Sequence, residues 1–213
     1  MNMKLFYNIL FIFFLPSFLF SQSDIPQVKY TREFKFNDGI YQSFKEFKYN
    51  NPSLPEFSMS KDNNFIQEGN VILRYPCPDS IGSKRTCVIE NCFGFSRNGI
   101  LYLNQGYPGY YYRMFIVGAL SHFIAFNKFG APDVFATFEP FVFSSGSNDF
   151  TEYLLDFETG NTFRFGYTEF SEFLEKHDKE LFDELQNTKQ KRKMIHHFLL
   201  KYNEKHPIYF PVY

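Results

Sequence analysis

Tryptophan is absent from this chain, cysteine occurs only three times, and neither sign of charge prevails. Three cysteines are too few for a disulfide-built scaffold. A formal net charge of −1, from 22 basic and 23 acidic residues, argues against a nucleic-acid binder, which carries a marked basic excess. No internal repeat recurs, and no low-complexity linker divides the chain. Beyond the first 21 residues the longest apolar run, 114–126, contains Ser121 and His122 and is too short to span a bilayer. An outer-membrane β-barrel would suit the terminal Tyr213 and the aromatics. It is disfavoured by Pro207, Pro211 and the charged segment before them, where a last membrane strand would lie. What fills the place of tryptophan is 31 Phe and 15 Tyr. Such side chains suit pleated, half-buried surfaces, so composition leans toward β structure.

The amino-terminal residues have the parts of a cleavable export signal. Lys4 supplies one positive charge, and residues 5–15 are apolar except for Tyr7 and Asn8. Pro16 and Ser17 break the run, and Ser21 offers a small residue before Gln22. A membrane anchor needs roughly 20 apolar residues, and Pro16-Ser17 come too early for one. Cleavage after Ser21 is therefore expected. The first cysteine is Cys77, so none stands at the cut to take a lipid. The remainder is expected to be soluble, in the periplasm or outside the cell, with residues 22–27 as a flexible tail. Residues 28–213 are long enough for one domain with a proper core.

Within that domain the pattern predicts a mainly β part, 28–166, a helical part, 168–205, and an extended tail, 206–213. Residues 30–36 read as a strand ended by Asn37-Asp38-Gly39. Ser43-Phe44-Lys45-Glu46 has the form of a capping box, opening a short helix that Pro52 follows. Strands are expected at 71–75 and 86–95, and Asn98-Gly99 signals a hairpin into 100–103. Segments 110–126 and 134–143 are apolar with poor alternation, as strands buried on both faces would be. Tyr153, Leu155 and Phe157 share one face, which Phe163 and Phe165 continue after the turn at Thr159-Gly160-Asn161, with Phe157 opposite Phe163. The other face would be wet, carrying Glu152, Asp156 and Arg164. From Thr168 the period becomes helical. Phe170, Phe173, Leu174, His177, Leu181 and Leu185 form one stripe, and Ile195, Phe198, Leu199 and Tyr202 a second. Acidic residues over 169–184 precede the basic run 189–193, an order that suits a helix dipole. The expected fold is α+β: a curved antiparallel sheet, sandwich- or open-barrel-like, covered by a C-terminal helical segment.

Export makes a disulfide chemically allowed. If 87–95 is one strand, Cys87 and Cys92 point to opposite faces and do not pair. Cys77 and Cys87 flank a turn-rich loop that a bridge could close, leaving Cys92 as a small buried hydrophobe.

Several ordered stretches carry a family likeness. They are Phe36-Asn37-Asp38-Gly39-Ile40-Tyr41, Ser43-Phe44-Lys45-Glu46-Phe47-Lys48, Phe93-Gly94-Phe95-Ser96-Arg97-Asn98-Gly99 and Gly118-Ala119-Leu120-Ser121-His122-Phe123. Asn51-Pro52, Tyr112-Arg113, Asp178-Lys179-Glu180-Leu181 and Tyr202-Asn203-Glu204-Lys205-His206-Pro207 complete the set. Together they resemble a family of small exported bacterial proteins without an assigned function, over nearly the whole chain after the leader. That family has Trp-Gly-Phe/Tyr-Cys where this chain has Phe93-Gly94-Phe95-Ser96, so a thiol is replaced here by a hydroxyl. The resemblance implies export and supplies no active site.

Candidate chemistry is sparse. His122 fits either a general base or metal ligand, or a buried histidine satisfied by its neighbours, and the second suits its apolar surroundings better. Ser121 and His122 are not a nucleophile pair by adjacency, and no Gly-x-Ser-x-Gly elbow occurs. His196-His197, with His177 and His206, is the only histidine cluster in sequence. Adjacent residues diverge by about 100° around a helix, so no metal site is expected. Lys189-Gln190-Lys191-Arg192-Lys193 reads as a solvated helix face rather than a phosphate or membrane grip. Asp156 and Glu158 share a strand face. They could serve acid–base chemistry on a glycan, or simply form the wet face with Arg164 in reach. Tyr107, Tyr110, Tyr111 and Tyr112 surround a Pro-Gly turn and offer stacking surface for a ligand, or else roof the core. No cofactor is expected. The leading expectation is a non-enzymatic exported binding or interaction protein for a glycan, peptide or cell-envelope component. The alternative is a hydrolase using His122 and a carboxylate.

Overall fold

A computed structural model describes residues 25–61, 71–78, 82–89, 91–104, 109–126 and 150–212. The expected leader, the start of the tail, Tyr107, the strand at 134–143 and Tyr213 lie outside the described residues. The fold is α+β, mostly antiparallel sheet with its helices toward the C-terminus.

Seven strands make the main sheet: β2 (Gly39–Tyr41), β6 (Gly94–Arg97), β7 (Ile100–Asn104), β8 (Tyr111–Ile116), β9 (Leu120–Phe126), β10 (Phe150–Asp156) and β11 (Thr162–Arg164). Their order is β11-β10-β9-β8-β7-β6-β2, antiparallel at every pairing. A three-stranded sheet holds β3 (Ser58–Lys61), β4 (Val71–Pro78) and β5 (Lys84–Ile89) in that order. β1 (Gln27–Lys29) pairs with β12 (Tyr209–Pro211), bringing the two ends of the described chain together. The helices are α1 (Phe44–Lys48), α2 (Tyr167–His177), α3 (Lys179–Asn187) and α4 (Ile195–Lys205), with a 3-10 turn at Lys191–Lys193.

Local chemistry explains many of the boundaries. The β6–β7 turn puts Asn98 and Gly99 at φ +54° and +73°, the left-handed pair that a tight two-residue hairpin requires. Ser43 caps α1 by accepting from the Glu46 N–H, while Glu46 reaches one residue further back than a capping box predicts, to the Gln42 N–H, and also takes the Ser53 N–H. That extra bond ties the helix to the chain that follows it.

Several expectations need correcting. Residues 30–36 form no strand. Tyr30 N–H still donates to the Ile208 carbonyl, but the chain then turns, with Phe34 N–H donating to the Thr31 carbonyl, and packs aromatic rings. Strand pairing begins at Gln27, which lies opposite Pro211. Residues 86–95 are split between β5 and β6, in different sheets, and 110–126 folds back on itself as the β8–β9 hairpin. The helical part is three helices, so acid-before-base order does not describe one dipole. Asp178 is the N-cap of α3, and the 189–193 run lies in the turn before α4.

The largest correction concerns register. Leu154, not Phe157, lies opposite Phe163. An odd shift moves every side chain to the other face, so Phe163 and Phe165 sit behind Tyr153 and Leu155 rather than beside them. Both faces of the main sheet are therefore covered. One face packs Leu103, Met114, Phe123, Leu155 and Phe157 against Phe36, Phe47 and Phe210. Across the sheet, Leu120, Leu154 and Phe165 meet Phe170, Leu174, Phe198, Leu199 and Tyr202 of the helices. Further along that second face, Ile40, Phe95 and Tyr111 meet Val71 and Leu73 of the three-stranded sheet. The helices and the small sheet thus cover different parts of one face. Between them, by register, that face carries Arg113, His122 and Glu152, with Phe115 beside them.

Candidate functional site

The site stands where β9, β10 and α4 meet. His122 lies opposite Leu154 in the β9–β10 ladder, and Glu152 lies two residues along β10 from Leu154. Strand alternation sends both to the helix-covered face. His196 arrives from the first turn of α4. Glu152 Oε2 accepts from His122 Nε2 at 2.8 Å and from His196 Nε2 at 2.9 Å. These three donor atoms all lie within 4.8 Å of one another, an arrangement a metal ion could accept. Side-chain exposure grades from 6 % at His122 through 28 % at Glu152 to 51 % at His196, so the cluster runs from the interior to the surface.

Burial pushes the Glu152 carboxyl up, but the hydrogen bonds from the two histidines outweigh it and bring its pKa down to about 2. The carboxylate is thus ionised across the physiological range. The Phe165 ring stands edge-on to both imidazoles, 5.4 Å from His122 and 4.7 Å from His196. Its N–H donates to the Glu152 carbonyl, fixing the strand backbone under the carboxylate. A β-bulge between Met114 and Ile116 interrupts the β8–β9 ladder beside His122. Phe115 belongs to that irregular stretch and stays about half exposed, its ring 6.4 Å from the His122 ring. Bulges of this kind re-aim side chains and are common beside functional sites.

The position of α4 is set from its other end. Asn203 Oδ1 accepts from the Leu120 N–H, and Asn203 Nδ2 donates to the Leu120 carbonyl, both at 2.8 Å. Asn203 is seven residues from His196, two helical turns along the same face. The close approach relies on Gly118, where a Cβ would fall 2.4 Å from the Asn203 side chain. A cleft of about 260 Å³ opens beside the cluster, lined by Thr151, Glu152, Arg164, Phe165, Gly166 and Glu169.

The other candidates lie elsewhere. β10 ends at Asp156, which takes the Glu158 N–H and the Thr159 hydroxyl to close the β10–β11 turn. Glu158 lies in that turn, accepts from Lys48, and shares no strand face with Asp156. Arg164 is paired with Tyr153. Tyr111 and Tyr112 are buried on opposite sides of the sheet, and the partly buried Tyr110 packs against the core. Cys77 and Cys87 are joined by a disulfide. Cys92 is buried beside the Tyr111 hydroxyl at 3.2 Å. His177 stacks on Phe173, and His206 donates to Asp178.

Sequence reading thus found one member of the cluster and missed two. Alternation along its strand puts Glu152 on a wet face, and adjacency to His197 gives His196 no partner in sequence. The two do diverge around α4, as adjacent helical residues must, but His196 finds its partners on the sheet. No protein-family model, no curated protein and no solved structure matches this chain.

Proposed function

We propose that the protein is an exported, non-enzymatic binding domain whose ligand site is the strip of the main sheet centred on Glu152. The carrying observation is the convergence of His122, Glu152 and His196 from three elements onto one point beside a polar cleft. A carboxylate held ionised and flanked by two imidazoles is a preformed polar anchor. Glu169 and Arg164 border the cleft, and Phe115 adds apolar surface nearby.

Binding is favoured over hydrolysis by the state of His122. The carboxylate in reach of it is Glu152, not Asp156, and Glu152 is shared between two histidines rather than dedicated to one. The histidine is also nearly sealed from solvent. Export is supported by the leader-like first 21 residues, by the Cys77–Cys87 bridge and by the resemblance to exported bacterial proteins. No helix among the described residues is long and apolar enough to cross a membrane.

The test is a thermal-shift screen of the purified protein against metal ions, glycans, peptides and envelope lipids, repeated with Glu152→Gln. Stabilisation by one class, lost in the variant, is expected. Turnover of any compound that disappears in Glu152→Gln would replace binding with catalysis.

A further inference from the structure

We propose that His122, Glu152 and His196 bind a divalent first-row transition metal ion through the two Nε2 atoms and the Glu152 carboxylate. This inference rests on the binding role proposed above and names the ligand class of the same site.

The donor set carries the inference. Two imidazole nitrogens and one carboxylate oxygen suit zinc, cobalt or nickel, whereas magnesium and calcium prefer oxygen alone. Both Nε2 atoms address the same oxygen, Glu152 Oε2, from opposite elements. A structural ion pair explains one histidine, the buried one. It gives little reason for the second, because a half-exposed partner adds little stability in water. As a three-pronged set of ligands the second histidine has a purpose.

Each histidine stands close to its final distance from the carboxylate, and the two imidazole nitrogens lie within 4.8 Å of each other. In a tetrahedral zinc site, neighbouring ligand atoms stand about 3.3 Å apart. The present separations of 2.8 and 2.9 Å from Oε2 are those of hydrogen bonds, and metal entry would replace the two N–H protons and open each gap slightly. His122 and Glu152 are fixed by the β9–β10 ladder, while His196 is exposed enough to swing outward. Burial and aromatic packing orient the inner ring, with Phe165 edge-on to it. Three protein ligands leave a fourth position for water or a group of a bound molecule, and the cleft beside Glu152 provides room for it.

The test uses untagged protein stripped with a chelator and titrated calorimetrically with zinc, then with cobalt for its visible spectrum. One equivalent should bind, and the cobalt complex should lack thiolate charge-transfer bands. His196→Ala changes an exposed residue, so folding should survive it, and it should weaken zinc at least tenfold. Glu152→Gln should do the same, while His197→Ala and His177→Ala should leave affinity unchanged. Native-like zinc affinity in His196→Ala or Glu152→Gln would overturn the site. If zinc does not bind but an organic ligand still stabilises the protein in a manner that Glu152→Gln abolishes, the metal is wrong and the binding role stands. If neither binds, both fall.

Discussion

Two acidic side chains concentrate the electrostatics of this molecule. Glu152 is held by two histidines. Asp178, almost wholly buried, caps α3 through the Leu181 N–H and accepts from Lys205 and His206. Burial pushes the Asp178 carboxyl up, but those hydrogen bonds outweigh it and lower its pKa to about 2. Both groups are therefore more acidic folded than unfolded, where a carboxyl titrates near about 4. Their stabilisation is complete above the unfolded value and disappears as pH falls from about 4 toward 2. Urea melts between pH 6 and pH 2 should show stability falling across that window, with a shallower fall in Asp178→Asn. Burial raises the Cys92 thiol to about 11, so it is protonated and unreactive in the fold. A thiol reagent should find no reactive cysteine in the native protein and one after unfolding. Reduction as well should release all three.

Among the elements, α4 decides whether the cluster forms. Asn203→Ala should cost about 1–3 kcal/mol, since it leaves the Leu120 N–H and carbonyl without their side-chain partner. It should also weaken zinc several-fold, because His196 rides on the same helix; chemical denaturation and calorimetry would measure the two effects. How much of this was legible follows from the signals each element carries. Asn98-Gly99 and Ser43 announce their turn and cap in single residues. The β8–β9 turn at Val117-Gly118-Ala119 does not, because apolar residues flank it on both sides. Asp178 reads as one acid among several until the chain is seen to break there. Glu152 belongs to a segment whose odd-numbered residues, Tyr153 and Leu155, suggest one buried face. The helices that cover its other face come later in the chain, and no periodicity within β10 reveals them. His122 and His196 are 74 positions apart, so only tertiary pairing could join them.

For the molecule as a whole, the main sheet is a central layer with cores on both faces, and the candidate site occupies the part of one face that lies between two different covers. That placement gives the cluster rigid strand supports on one side and solvent on the other, as a binding site requires. The most direct measurement is X-ray absorption at the zinc edge of the one-to-one complex. A first shell of nitrogen and oxygen only is predicted, with the scattering of two imidazoles reduced to one in His196→Ala. A sulfur ligand, a shell of water without imidazole, or a spectrum unchanged by His196→Ala would contradict the account.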